Sequence, residues 1–161
     1  MCQGAHDATN RWDNPFWLYS LEQYKQPGCA DFLLNAQDQY HLDINILLFI
    51  GWLSTQHKLF QPSASMDEIH NWQINNIRPI RQLRQRIKLL TKGPFYEACK
   101  QLELTGEQAQ QALLFQVSKD WPTSRLSGYE VFESSIKRYL GEAKIINKEG
   151  WLQALYQHLQ P

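Results

Sequence analysis

Apolar residues recur along this chain at helical spacing, and the two-residue alternation of a half-buried strand is missing. Asn14-Pro15 pairs an N-cap residue with proline at a first helical position and predicts a helix through Tyr24, with Phe16, Trp17, Leu21 and Tyr24 on its apolar side. Gln26-Pro27-Gly28 ends it. A second helix is predicted from about Gly28 to Tyr40, carrying Phe32, Leu33, Ala36 and Tyr40 at helical spacing. His41-Leu42 forms a short joint, and Asp43 stands where it can cap a third helix, Ile44 to Ser54. That helix is apolar nearly all round, which makes it the central one.

A loop from Gln56 to Ala64 leads to Ser65-Met66-Asp67-Glu68, a capping-box pattern that predicts a fourth helix with Ile69, Trp72 and Ile77 facing inward. Pro79 lacks an N–H for the preceding turn and should kink this helix or start a new one, which then continues to about Lys92. Gly93-Pro94 ends it. Phe95 to Leu102 and Thr105 to Val117 read as two helices, or as one broken at Gly106, with Thr105 and Gln108 as a further capping-box pair. Ser118 to Leu126, with Trp121-Pro122, reads as loop; Ser127 with Glu130 caps a helix that ends at Gly141. Asn147 is read as the cap of a last helix, Lys148 to Gln160, with Trp151, Leu152, Leu155 and Leu159 inward. The expected fold is all-α: a single irregular bundle of seven or eight helices around the buried helix at about 44–54. Residues 1–12 form a loose N-terminal tail and 13–161 a single helical domain.

A chain of 161 residues can bury about 70% of its extended surface and needs no disulfide or metal to hold one core. It is 43% hydrophobic yet has a mean hydropathy of −0.51. The eighteen glutamines, good helix formers read here as uncharged surface residues, reconcile the two values. Cys2, Cys29 and Cys99 are odd in number and far apart, so neither a disulfide framework nor a zinc site is signalled and a reducing, cytoplasmic compartment is expected. Residues 1–11 lack the apolar core of a secretory signal, and no apolar run approaches the ~20 residues of a membrane span.

Sixteen basic residues balance sixteen acidic ones, which excludes functions written in bulk charge. The balance conceals an asymmetry. Residues 1–76 carry three Lys/Arg against eight Asp/Glu, whereas residues 77–100 carry seven against one. At about 100° per residue, Arg78, Arg81, Arg84, Lys88 and Lys92 share a third of the helix circumference, beside an apolar face of Ile80, Leu83, Ile87 and Leu90. Such a ridge is either a solvated face paired with the acidic first half or an anion site, for which arginine's planar fork is suited. An acidic protein surface, a phosphorylated small molecule and nucleic acid are the partners it could meet. The neutral pI and the lack of a recognisable nucleic-acid-binding motif count against the last.

Gln37, Asp38, Asp43 and Asn45 sit beside or inside the most apolar segment, where each must find a partner. One reading is capping and core hydrogen bonding. The other makes Asp38 and Asp43 the acidic side of a pocket whose basic side is Arg78, Arg81 and Arg84. Nothing in the sequence specifies catalysis, a metal or a cofactor: His41, His57, His70 and His158 form no paired motif, and Cys29 and Cys99 lie on apolar helix faces. Trp17, Trp52, Trp72 and Trp151 read as core, and only Trp121, in a loop, as a candidate contact residue.

Three segments, Asn14 to Leu21 (NPFWLYSL), Leu33 to Trp52 and Trp72 to Lys88, resemble a proteobacterial family of uncharacterised small all-helical proteins, domain of unknown function 2390. The likeness rests on Phe16-Trp17, on Gln37-Asp38, on Asp43, Asn45, Leu47, Leu48 and Trp52, and on Arg81, Leu83 and Arg84 in the basic helix. It covers about the first 90 residues. His41 stands near where the family pattern has glycine. The resemblance implies a cytosolic bacterial protein with an all-helical fold and supplies no activity, ligand or partner.

Together these features are read as a non-enzymatic binding or adaptor domain engaging an anionic partner, an acidic protein surface first, through Arg78, Arg81, Arg84 and Lys88. The alternative is a protein that binds, or an enzyme that acts on, a phosphate- or carboxylate-bearing small molecule in an Asp/Asn/Arg pocket. The two are separable, since a cavity of several hundred Å³ lined by Asp43, Asn45 and Arg84 favours the pocket.

Overall fold

The side chain of Asn14 accepts a hydrogen bond from the Trp17 N–H and, with Pro15 at the first position, opens α1 (Pro15–Lys25). In the computed structural model, which describes residues 13–141 and 150–161, the remaining elements are α2 (Cys29–Tyr40), α3 (Ile44–Thr55), α4 (Ala64–Trp72), a π-helical turn (Gln73–Ile77), α5 (Arg78–Lys88), α6 (Pro94–Ser118), α7 (Gly128–Leu140) and α8 (Trp151–His158). The architecture is an all-α bundle, with no strand among the described residues. The expected tail at 1–12 and the Asn147 cap lie outside them.

α3 is the centre. Every residue from Asn45 to Ser54 is buried, and α1, α2, α6 and α7 all pack on it. A helix with no polar stripe has no side it can turn to water, so its neighbours must surround it. Gly51 is where one of them comes close: a Cβ added there would lie 2.5 Å from the Tyr19 hydroxyl and 2.9 Å from Leu159 Cβ. Tyr19 donates to the Leu159 carbonyl across that contact, tying α1 to the end of the chain. The Ser127–Glu130 capping box forms as expected at the start of α7.

Four local expectations need correction. The cap of α4 is Ser63, two residues earlier than the Ser65 pattern suggested. α6 runs unbroken for 25 residues; Thr105 does not cap it but turns its hydroxyl back to the Gln101 carbonyl at 2.9 Å. Gly106 sits inside α6 because the π-turn packs against it, a Cβ there meeting Ile77 Cγ1 at 3.3 Å, while Trp72 Nε1 donates to its carbonyl. α5 ends at Lys88 and not near Lys92, leaving Leu89 and Leu90 86% exposed. Trp121 is no free contact residue: it packs edge-on against Phe60 and beside Phe49 at the core.

Pro79 stands in the first turn of α5, which starts as a new element there and where its missing N–H is tolerated. The chain widens into the π-turn just before it, and the Arg78 N–H reaches back five residues to the Gln73 carbonyl. At the end of α2, His41 adopts φ 55°, the left-handed conformation that explains a glycine preference near this joint.

Because the space at Gly51 is already filled, Gly51→Ala should cost about 1–3 kcal/mol through overpacking. A denaturant titration checks it; an unchanged midpoint would show that Tyr19 and the C-terminal segment do not hold α3 as described.

Candidate functional site

The site is built from polar residues on helices that bury them. Asp43, in the joint before α3, is itself buried. Its Oδ1 accepts from the Asn45 N–H at 2.9 Å, capping α3, and its Oδ2 accepts from Gln110 Nε2 of α6 at 2.8 Å. Gln110 Oε1 in turn accepts from Asn45 Nδ2 at 2.6 Å, and Asn45 Oδ1 accepts from Gln111 Nε2 at 2.8 Å. Asp43, Gln110, Asn45 and Gln111 thus form one continuous ladder joining α3 to α6. Burial pushes the Asp43 carboxyl above its ordinary range, opposed by the hydrogen bonds from Gln110 and from the Asn45 backbone.

A charged cluster lies between α5 and α6. Arg81 Nε donates to Glu103 Oε1 at 2.7 Å and its Nη2 to Glu107 Oε1 at 2.6 Å. Arg84 grips the same Glu103 through both Nε and Nη2. The Glu103 side chain is only 9% exposed. Burial pushes its carboxyl up, but the hydrogen bonds from Arg84 and Arg81 outweigh burial and hold it below the ordinary range. Burial of Glu107 wins instead, and its carboxyl is raised despite Arg81.

The ladder and the cluster border one cavity of about 450 Å³. Its walls come from α1, α2, the Asp43 joint, α3, the π-turn, α5 and α6. Trp17, Leu21, Tyr24, Leu34, Leu48 and Leu104 supply apolar surface, and Gln37, Gln73, Gln101 and Lys100 add polar groups. Two wall residues hold atoms that are buried without a hydrogen-bond partner, Ser20 Oγ and Gln111 Oε1.

Of the residues singled out in the sequence, Gln37, Asp43, Asn45, Arg81 and Arg84 line this cavity. Asp38 does not; it is exposed on α2. The expected basic ridge is divided. Arg78 and Lys88 are exposed and away from the cavity, whereas Arg81 and Arg84 turn in toward Glu103. The expected apolar face of the same helix is correspondingly displaced, with Ile87 buried but Leu83 38% exposed. Arginine paired with a buried carboxylate, rather than leucine, is what α5 presents to α6. His57 and His158 do not line the cavity; His57 Nδ1 lies 3.1 Å from the Leu126 carbonyl and His158 packs on Phe32. Cys29 and Cys99 are buried free thiols. No group of three His, Cys, Asp or Glu residues among the described residues is arranged to hold a metal, and no described helix is long and apolar enough to cross a membrane.

The sequence reading missed the α6 half of the site. Glu103, Glu107, Gln110 and Gln111 stand at i, i+4, i+7 and i+8, and the same stripe continues into fully buried Leu114. That is the spacing of a core face, occupied by polar residues. Reading glutamine as a surface residue hid it: Gln23, Gln73, Gln108, Gln110 and Gln111 are all buried.

A family model described as "Protein of unknown function (DUF2390)" matches residues 15–114. The span starts with the first residue of α1 and includes every residue lining the cavity. No curated protein and no solved structure matches the chain.

Glu103→Gln leaves two guanidiniums facing a neutral amide and should cost on the order of 3 kcal/mol at neutral pH. The native state holds this carboxyl below its ordinary value of 4.5, so its contribution is complete above that pH and is lost as pH falls below it. Denaturant titrations should therefore show a deficit for the variant at about pH 7 that narrows progressively as pH falls below 4.5. A deficit independent of pH would mean the carboxylate charge is not what holds α5 to α6.

Proposed function

We propose that this chain, which belongs to the DUF2390 family of proteins of unknown function, binds a small organic molecule in the cavity bordered by α1, α3, α5 and α6. The observation that carries this reading is the convergence of Asp43, Asn45 and Arg84 on a single space of about 450 Å³. Apolar walls with a few fixed polar groups, at that volume, have the character of a ligand pocket. Both oxygens of Glu103 are engaged by arginines, and both of Asp43 by the α3 N-terminus and Gln110. Neither of these two carboxylates is left positioned as a general base. A cytoplasmic setting is part of the reading, supported by the unpaired thiols of Cys29 and Cys99.

A second reading, an adaptor that docks an acidic protein surface on the basic helix, is favoured by one feature. Leu89 and Leu90 are 86% exposed and lie between Lys88 and Lys92, an apolar tip with cations on both sides. It predicts capture that weakens steeply with salt and in Arg78→Gln/Lys88→Gln, with the cavity irrelevant.

Leu34→Trp separates the two. Leu34 is 43% exposed at the cavity wall, so the larger ring can fill the space at little cost to folding. In a thermal-shift screen of metabolites, a ligand at ~100 Kd should stabilise the wild type by about 2.7 kcal/mol, a rise of roughly 5–10 °C. Leu34→Trp should abolish that rise. A rise of equal size in the variant, or none with any compound in the wild type, would reject the cavity as the site.

A further inference from the structure

The polarity of the amide ladder determines what the cavity can hold. Both Asp43 oxygens accept hydrogen bonds, one from the Asn45 N–H and one from Gln110 Nε2. That fixes the Gln110 amide with its nitrogen toward Asp43 and its oxygen toward Asn45. The Asn45 amide must then turn its nitrogen to Gln110 and its oxygen to Gln111. Gln111 can satisfy Asn45 only with its nitrogen. The series therefore ends in a lone acceptor, Gln111 Oε1, which has no partner although the residue is 2% exposed. An unpaired buried acceptor requires a donor from whatever fills the adjoining space.

The charge on the walls is the second constraint. Three carboxylates (Asp43, Glu103, Glu107) face three cations (Arg81, Arg84, Lys100). The two arginines already hold Glu103 and Glu107. Glu103 and Glu107 thus neutralise the two arginines, and with three carboxylates against three cations the walls carry no formal net charge to hold an anion. Ser20 Oγ, the other unpartnered wall atom, is a hydroxyl that can donate to a ligand carbonyl or accept from a second N–H. The remaining surface, from Trp17, Leu21, Leu34 and Leu104, suits an apolar body.

We propose that the ligand is an uncharged apolar small molecule carrying an amide or hydroxyl group, whose N–H or O–H donates to Gln111 Oε1. This rests on the cavity being the binding site and goes further by setting the ligand's charge and hydrogen-bond sense. It departs from the phosphate- or carboxylate-bearing ligand that the arginines suggested in the sequence, because those arginines are engaged within the fold.

The test uses the full chain and four probes with one benzyl body: N-benzylacetamide, N-benzyl-N-methylacetamide without the N–H, and the anions phenylacetate and benzyl phosphate. Titrations are followed by NMR at the Gln111 and Leu34 resonances. N-benzylacetamide should perturb both and bind about tenfold or more tightly than its N-methyl analogue, since the analogue leaves the acceptor unpaired. In Gln111→Met, which leaves the Arg–Glu cluster in place, the preference should fall to near unity. Equal binding of the two amides by the wild type would overturn the donor assignment while leaving the cavity reading standing. Tighter binding of either anion would overturn the requirement for an uncharged ligand. If no probe at millimolar concentration moved either resonance, the inference and the cavity reading would both fail.

Discussion

A buried polar group must be paired, and in this protein that single requirement decides how the longest helix sits. α6 carries Glu103, Gln110 and Gln111 on the face that turns inward, where helices of ordinary globular proteins carry leucine. Such a face can rest on the apolar α3 only where α3 answers it with polar groups of its own. Asn45 and the Asp43 cap provide them at one end of α3, while Leu114 meets the hydrophobic core further along. At the other end of the stripe, Arg81 and Arg84 come from α5 to meet Glu103. The position of α5 is therefore set by a carboxylate on its neighbour more than by its own leucine, Leu83, which is 38% exposed.

Much of the fold was legible because the signals were local or one-sided. The Asn14-Pro15 start, the Asp43 cap, the Ser127–Glu130 box and the apolar run at 44–54 each need only a few residues to specify an outcome, and all four are present. The errors came where the outcome depended on a distant partner. Gly106 looks like a break until Ile77 is packed against it. Ser63 takes the cap from Ser65 with the box pattern intact two residues on. Half of the site was visible, in Gln37, Asp43, Asn45, Arg81 and Arg84, because polar residues in an apolar segment and clustered arginines stand out. The half on α6 was not, because glutamine carries no charge to count and its average preference for the surface masks the helical spacing of these particular ones.

The chain also divides its tasks along its length. All the cavity-lining residues fall in the matched span 15–114. α7 and α8, with the residue that follows α8, lie beyond it and contribute Phe132, Ile136, Leu155 and Leu159 to the core around α3. They stabilise the helix on which the site is mounted without adding a group to its walls. Tyr139 of α7 touches the site's edge, its hydroxyl accepting from the Asp43 N–H at 3.2 Å.

The π-turn at Gln73–Ile77 can be viewed as a single residue more than an unbroken α-helix from α4 into α5 would hold. Winding the same residues as regular α-helix would instead turn everything downstream by about 100° about the helix axis. Arg81 and Arg84 would swing away from Glu103 and their places would pass to residues of other chemistry. The five-residue widening thus acts as an angular setting for α5, and the register it fixes decides whether this helix shows arginine to the interior or to water.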